Sequence, residues 1–305
     1  LQVLIMIDIT PQKRIHFLGI GGCGMSAIAK LLLKLNYQVS GTDMKESTTT
    51  IRLRDEGARV FIGHSVSNVR EADVIVVSTA ISEDNEEYQA AIDAQLPVLH
   101  RSEMLNFIMS HYSHKISVAG THGKTTTSGL LSCLFWQQKQ KPTFIVGSDV
   151  PTLGTNADLG HSNYVIAESD ESDGSFLNLE PTVAILLNLE EEHMNYYKTK
   201  ESLIDHFKTF MSGVIDRGGY LIVNAADENL MAIASTFPDK QVRTFALSGD
   251  YDVVAEDITY HSWGTSFKAV QSNGETAELK TQLFGSHNVE NALAAYLCGV
   301  KELLT

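Results

Sequence analysis

The chain lacks any apolar run of the about 18 residues that a membrane-crossing helix needs. It also lacks a basic surplus. Lys and Arg number 23 against 37 Asp and Glu, for a formal net charge of −14. That balance argues against a nucleic-acid backbone as partner, because phosphates call for a basic face. It argues equally against adhesion to anionic membranes. Cysteine is scarce: Cys23, Cys133 and Cys298 are odd in number and far apart, so neither a disulfide framework nor a zinc spacing is readable. A reducing, cytoplasmic location fits this usage. The apolar opening from Leu1 to Ile9 has no basic start and no small-residue cleavage site, which makes it a poor signal peptide. It begins with Leu instead of Met, which suggests a trimmed chain. Internal repeats and low-complexity linkers are missing too.

What is there is ordinary globular material, with 43% apolar residues over 305 positions. At a soft prior of about 150 residues per domain, this predicts two domains. Strand-length apolar runs alternate with helical segments. Residues 15–20, 38–42, 60–62, 74–78 and 98–99 read as strands and 25–35 as a helix, a βαβ rhythm that predicts a parallel sheet covered by helices up to about residue 112. A second series starts at Lys115. Strands are expected at 116–119, 143–146, 164–168, 184–188 and 220–224, and helices at 124–137, 199–211 and 288–304. Residues 242–283 alternate Thr, Tyr, Trp and Phe with polar residues and read as a small antiparallel appendage.

Two glycine-rich loops carry the chemistry. The run from Gly19 to Ser26 contains Gly19-x-Gly21-x-x-Gly24 between the first strand and the first helix. Glycine permits a sharp turn and close approach to a phosphate, and the helix start offers unpaired N–H groups. Asp43 lies nineteen residues after Gly24 at the end of the second strand, where an acid can accept hydrogen bonds from a ribose or a base. A tight turn without a ligand is the alternative, and the pattern does not identify the nucleotide; NAD is its default ligand. Ser78 and Thr79, at the end of a later strand, suit a pyrophosphate or a plain loop cap.

The second loop, Gly120-Thr121-His122-Gly123-Lys124-Thr125-Thr126, follows an apolar strand and opens a helix. Gly123-Lys124-Thr125 is the working end of a phosphate loop: glycine for close approach, lysine for the β- and γ-phosphates, hydroxyl for Mg²⁺. The position five before Gly123 is Val118, so the loop is a shortened variant. A dehydrogenase has no use for it. From Glu168 to Glu192 the chain carries eight acids, most of which read as a solvated acidic loop. Glu168 differs, since it ends a strand and should sit beside the phosphate loop, where a carboxylate and phosphate oxygens can hold Mg²⁺. His193 follows another strand at the same edge and is either a ligand or a structural histidine.

Together these runs resemble the Mur ligase family. The resemblance rests on Gly19–Ser26, Gly120–Thr127, Glu-Ser-Asp-Glu-Ser-Asp-Gly-Ser-Phe-Leu from Glu168, Asn-Leu-Glu-Glu-Glu-His-Met from Asn188, and His-Asn-Val-Glu-Asn-Ala from His287. It implies an α/β chain with a Rossmann-like UDP-sugar-binding domain over residues 1–112 and a P-loop-type central ATP-binding domain over residues 113–305. It further implies ATP-dependent joining of L-alanine to the lactyl carboxylate of UDP-N-acetylmuramic acid through an acyl phosphate, in peptidoglycan precursor synthesis, with two Mg²⁺ ions. Carried over residue by residue, Lys124, Glu168 and His193 would be catalytic. Thr125 and Glu168 would hold one ion, and His193 would help with the second. Gly120, Thr121, His122, Gly123, Lys124, Thr125 and Thr126 would cradle ATP, with His287 and Asn291 near adenine. Gly21, Gly22, Gly24, Met25 and Ser26 would meet the UDP pyrophosphate and Asp43 the uracil end. Ser78, His100 and Arg101 would complete the UDP-sugar pocket, with Thr155 and Asn156 facing the muramyl part.

The sequence departs from the family at Glu192 and Asn195, where Asp is usual, and no metal role is carried over to either. Family members also carry a third domain that closes over ATP and supplies the amino-acid pocket. The expectation is that this chain lacks it, binds nucleotides and ligates little or nothing alone. The rivals are a ligase of wall recycling that adds a whole peptide to the same UDP-sugar, an NAD(P)-dependent dehydrogenase, and a non-catalytic nucleotide-binding module.

Overall fold

The computed structural model describes residues 9–303. The opening segment from Leu1 and the last position of the closing helix, Leu304, lie outside the described residues. Two compact units are present. The first comprises residues 1–108 together with 147–149 and 155–159, and the second the remainder.

The first unit is a five-stranded parallel sheet. Its strands are β1 (Arg14–Leu18), β2 (Gln38–Asp43), β3 (Arg59–Ile62), β4 (Val74–Val77) and β5 (Val98–His100), in the order β3-β2-β1-β4-β5. Helices α1 (Cys23–Lys34), α2 (Thr48–Asp55) and α3 (Glu86–Asp93) connect β1 to β2, β2 to β3 and β4 to β5, and α4 (Arg101–Met109) follows β5. The apolar runs of β1 and β4 are buried because helices cover the sheet. The strand order reverses at β1, so the loops after β1 and β4 leave a crevice at the carboxyl edge, the usual ligand position in such sheets.

In the second unit β6 (His114–Ala119) leads into α5 (Lys124–Gln137), followed by β7 (Thr143–Val150). The far end of β7 and β8 (Thr155–Asp158) count with the first unit. Then come β9 (Tyr164–Glu168), β10 (Val183–Leu186), α6 (Met194–Tyr197), α7 (Lys200–Asp216), β11 (Tyr220–Asn224), α8 (Glu228–Ala234) and β12 (Val242–Ala246). The chain ends through β13 (Val253–His261), β14 (Gly264–Gln271), β15 (Thr276–Thr281) and α9 (Ser286–Leu303). The order runs β15-β14-β13-β12-β11-β10-β6-β9-β7, parallel from β7 to β13 and antiparallel at β14 and β15.

Alternate residues of the central strands feed two cores. Ile185 joins Leu131 and Phe135 of α5 and Leu293 of α9 on one face. Ala184 and Leu186 join Phe207, Phe210 and Met211 of α7 on the other. Each of the larger side chains contributes on the order of 1.5–3 kcal/mol by leaving water. The expected antiparallel appendage over 242–283 is corrected in one respect. Val242–Ala246 pairs in parallel with β11, and antiparallel pairing is confined to β13–β14 and β14–β15, so this region extends the central sheet as its edge. Period-2 patterning signals half-exposed strands but does not say which strand they pair with.

Helix starts differ in a way that matters for function. Ser47, Asn85, Thr199 and Asp227 cap α2, α3, α7 and α8 with side-chain oxygens. By contrast, α1 and α5 start at Gly22 and Gly123, with no side-chain cap and no acid in the first turn. Their first N–H groups are therefore left to other acceptors.

Candidate functional site

In the second unit, β6 lies between β10 and β9, so three strand ends meet at one edge. The loop after β6 carries residues 120–124, β9 delivers Glu168, and the loop after β10 delivers Asn188 to His193. The loops are stitched together. Asn188 accepts from the Thr121 and His122 main-chain N–H groups at 3.1 and 2.7 Å, and Glu190 N–H donates to Thr121 Oγ1 at 2.9 Å. Gly123 must be glycine. Its φ is 85°, and an added Cβ would lie 2.6 Å from Asn291 Oδ1.

Thr125 Oγ1 donates to Glu168 Oε2 at 3.2 Å, which brings the predicted hydroxyl and carboxylate together. Lys124 Nζ donates to Gly120 O (2.6 Å), Thr121 O (3.1 Å) and Glu171 Oε1 (2.9 Å). Glu171 Oε2 is also 2.8 Å from Nζ but outside hydrogen-bond geometry, so Oε1 carries the bond. Glu171 is 1% exposed. This corrects the expectation of a solvated acidic loop at that position. A buried carboxylate facing a part-buried ammonium is a costly arrangement that persists only when paired. Burial pushes the Glu171 carboxyl above the usual carboxylate range, against the opposing pull of Lys124. No pattern in the sequence separated Glu171 from its acidic neighbours; only its burial does.

His193 is brought to Glu171 and Glu192, with Nε2 at 3.7 and 3.8 Å from their carboxylates. Its φ of 56° places a non-glycine residue in the left-handed region, at a cost of roughly 1 kcal/mol. Among the described residues, no group of three or more His, Cys, Asp or Glu side chains is arranged as a metal cage. Thr125 with Glu168 is instead a sparse oxygen pair of the kind that could hold Mg²⁺ alongside phosphate oxygens and water.

Beside the loop lies a cleft of about 510 Å³ lined by His122, Gly123, Asn224, His287, Glu290 and Asn291, among others. His287 and Asn291, which the family resemblance puts near adenine, both line this cleft. Burial raises the Glu290 carboxyl in the same cleft.

In the first unit, Gly21 N–H donates to Asp43 Oδ2 at 2.8 Å, and a Cβ on Gly21 would meet that oxygen at 2.7 Å. Asp43 therefore clamps the glycine loop. Ser26 and Gly21 line a pocket of about 350 Å³ that also receives Lys30, Arg52 and Asn156. Lys30 Nζ donates to Thr155 Oγ1 at 2.7 Å, which draws Thr155 and Asn156 to this pocket. Lys30 and Arg52 were not singled out in the sequence. Met25 is buried. Gly24 is open toward Arg101, whose Nη1 is 3.9 Å from where a Cβ would stand. His100 accepts its neighbours' attention at the start of α4: its N–H donates to Glu103 and its Nδ1 meets Ser102 Oγ at 2.8 Å. Ser78 follows β4, across the crevice from Gly19, and its carbonyl accepts from Ile81 N–H at 3.0 Å.

Beneath that loop lies a buried polar network. Thr42 O accepts from Gly19 and Ile20, and Thr42 Oγ1 donates to the buried Glu87 at 2.7 Å. Glu87 also receives Asn68 and contacts His64 Nδ1, both at 2.7 Å. His16, fully buried beside Thr42, has its pKa lowered from 6.5 to about 4, chiefly by desolvation.

Comparison with known proteins agrees with this arrangement. Residues 14–113 match the description "Mur ligase family, catalytic domain" and residues 118–299 match "Mur ligase middle domain". UDP-N-acetylmuramate–L-alanine ligase of Dictyoglomus turgidum is 38% identical over 283 residues, covering 93% of this chain and 60% of its own length. The same-named protein of Desulfotalea psychrophila is 41% identical over 290 residues, covering 95% and 63%. The chain thus spans about three-fifths of the length of the curated relatives it matches. Among solved structures, UDP-N-acetylmuramate–alanine ligase of Thermotoga maritima superposes with a TM-score of 0.83 at 25% identity, covering 95% of this chain and 65% of that one. A Neisseria meningitides ligase, named for joining UDP-N-acetylmuramate to L-alanyl-γ-D-glutamyl-meso-diaminopimelate, gives 0.84 at 26%, covering 94% and 93%. Among the described residues, no helix is long and apolar enough to cross a membrane. With both sheets, both glycine loops and two family descriptions in register along one sequence, the chain belongs to the Mur ligase family.

Proposed function

We propose that the protein to which this chain belongs ligates L-alanine to the lactyl carboxylate of UDP-N-acetylmuramic acid, at the expense of ATP. The observation that carries this reading is the meeting of Lys124, Thr125 and Glu168 at one sheet edge beside the His287–Asn291 cleft. The amine is assigned by likeness to relatives at 38–41% identity that bear that name.

In the reaction, the lactyl carboxylate takes the γ-phosphoryl group of ATP and ADP leaves. The amine then attacks the acyl carbon and inorganic phosphate departs. Lys124 is suited to the β- and γ-phosphates, and the uncapped start of α5 offers them N–H groups. His287 and Asn291 hold the base in the cleft. Thr125 and Glu168 fit one Mg²⁺, which would supply charge stabilisation at the transferring phosphoryl group. His193, anchored at Glu171 and Glu192, fits a second position facing the reacting carboxylate. In the first unit the uncapped α1, with Ser26, Lys30, Arg52 and Arg101, suits the UDP pyrophosphate, and Thr155 and Asn156 the muramyl part. Roles for Gly22, Gly24, Asp43, Ser78 and His100 at the UDP-sugar are assigned by the family resemblance.

Calorimetry against UDP-N-acetylmuramic acid, ATP with Mg²⁺, and NADH tests the reading. Binding of the first two without NADH is expected. Binding of NADH but not the UDP-sugar would overturn it. Phosphate release measured with L-alanine and with the tripeptide as alternative amines decides between the two named activities.

A further inference from the structure

The Lys124 ammonium has three protons to donate. In the structure they go to Gly120 O, Thr121 O and Glu171 Oε1. The two carbonyls belong to the loop itself and stay where the loop stays. Glu171 is therefore the acceptor that a phosphate oxygen must displace.

Glu171 is held firmly in that position. Its carbonyl accepts from the Tyr197 hydroxyl and from Gly174 N–H at 3.0 Å, and Tyr197 is buried. The carboxylate is 2% exposed and the lysine side chain 17%, so water screens the pair poorly. A negative group so placed competes with any polyphosphate for the same ammonium.

We infer that Glu171 is a latch on Lys124. It holds the phosphate-loop lysine in the nucleotide-free protein and yields it only to a ligand carrying several phosphate charges. This rests on the reading above, that the loop binds nucleotide phosphates. The latch makes Glu171 a positioning residue, acting through Lys124. It also makes the loop selective: adenosine, which fills only the His287–Asn291 cleft, does not need Lys124 and is indifferent to the latch. ADP and ATP must open it.

The test is calorimetry of the protein with adenosine, ADP and ATP, with EDTA present so that no metal contributes. Glu171→Gln removes the charge and keeps the shape. The variant is expected to bind ADP and ATP at least about tenfold tighter than the wild type, about 1.4 kcal/mol, with adenosine affinity within about twofold. In a Lys124→Met background the same substitution is expected to gain nothing. Unchanged or weaker ADP and ATP binding by a Glu171→Gln protein that still binds adenosine would overturn the latch. A gain that persists without Lys124 would also overturn it, because it would show direct repulsion between Glu171 and phosphate. Should Glu171→Gln not fold, Glu171→Asp retains the charge but shortens the reach. It is expected to bind ATP about threefold tighter, and no gain there refutes the latch equally. Wild-type protein that binds neither ADP nor ATP would instead defeat the nucleotide reading, whatever Glu171 does.

Discussion

The two glycine loops of this chain follow the same plan and settle their acids differently. Each follows a central parallel strand, turns through glycine and opens a helix with no side-chain cap. In the first, the acid at the end of the neighbouring strand, Asp43, accepts a main-chain N–H from Gly21. In the second, the acid Glu171 holds a side-chain cation, Lys124. A main-chain clamp makes a fixed cradle, because the donor cannot move without moving the loop. A side-chain clamp makes an exchangeable one, because lysine can pass from one anion to another. The first design suits a ligand to be held, the second a phosphate to be moved.

The largest expected effect breaks the second clamp. Lys124→Met takes from the buried Glu171 the cation it is bonded to, which should cost about 3 kcal/mol of stability in denaturant titrations. It should also lower ATP affinity by about 100-fold or more while UDP-N-acetylmuramic acid binding is unchanged. A parallel loss of UDP-sugar binding would mean that the two loops do not act separately. Gly123→Ala comes next. Its left-handed backbone and the Asn291 oxygen should together cost roughly 2 kcal/mol in thermal unfolding.

Acid should tell the two loops apart. His16, beneath the first loop, is buried neutral with a pKa of about 4 against an ordinary 6.5. The folded protein thus binds fewer protons than the unfolded chain between those values. The stability His16 contributes is fully present above pH 6.5 and is lost as pH falls toward 4. Between pH 7 and pH 5 the loss should be about 2 kcal/mol. Urea titrations of wild type and His16→Gln at the two pH values check this; an equal fall in both would rule out His16 as the source. The smallest effect should come from Asp43→Asn. Its amide oxygen still accepts from Gly21, so UDP-sugar affinity should change less than about threefold. Asp43→Ala, with no acceptor, should lose about tenfold. A tenfold loss in Asp43→Asn would mean that the charge, and not the clamp, is what the ligand reads.

Much of the fold was legible in advance. Apolar runs of strand length, separated by helical stretches, placed Tyr164–Glu168, Lys124–Gln137 and Tyr220–Asn224 with their observed boundaries. Glycine, lysine and hydroxyl at fixed spacing located the phosphate loop, since few backbones other than a strand-to-helix turn use that combination. The short strand Thr155–Asp158 was missed, because Thr-Asn-Ala-Asp carries no apolar run. The direction of Val242–Ala246 was missed because pairing is set by neighbours far away in sequence.

The sequence by itself determined where the chain turns and which residue types stand at each turn, because glycine conformations, helix starts and strand alternation are local properties. It determined likewise that one loop carries a lysine and a hydroxyl suited to phosphate. Only the tertiary structure decided what each acid does. Asp43, Glu168 and Glu171 are the same kind of group on paper. Packing made one a main-chain clamp, one a partner of Thr125 and one the buried counter-ion of Lys124. The physical reason is that a carboxylate's behaviour depends on its solvation and its neighbours' charges, and both are set by contacts between residues distant along the chain.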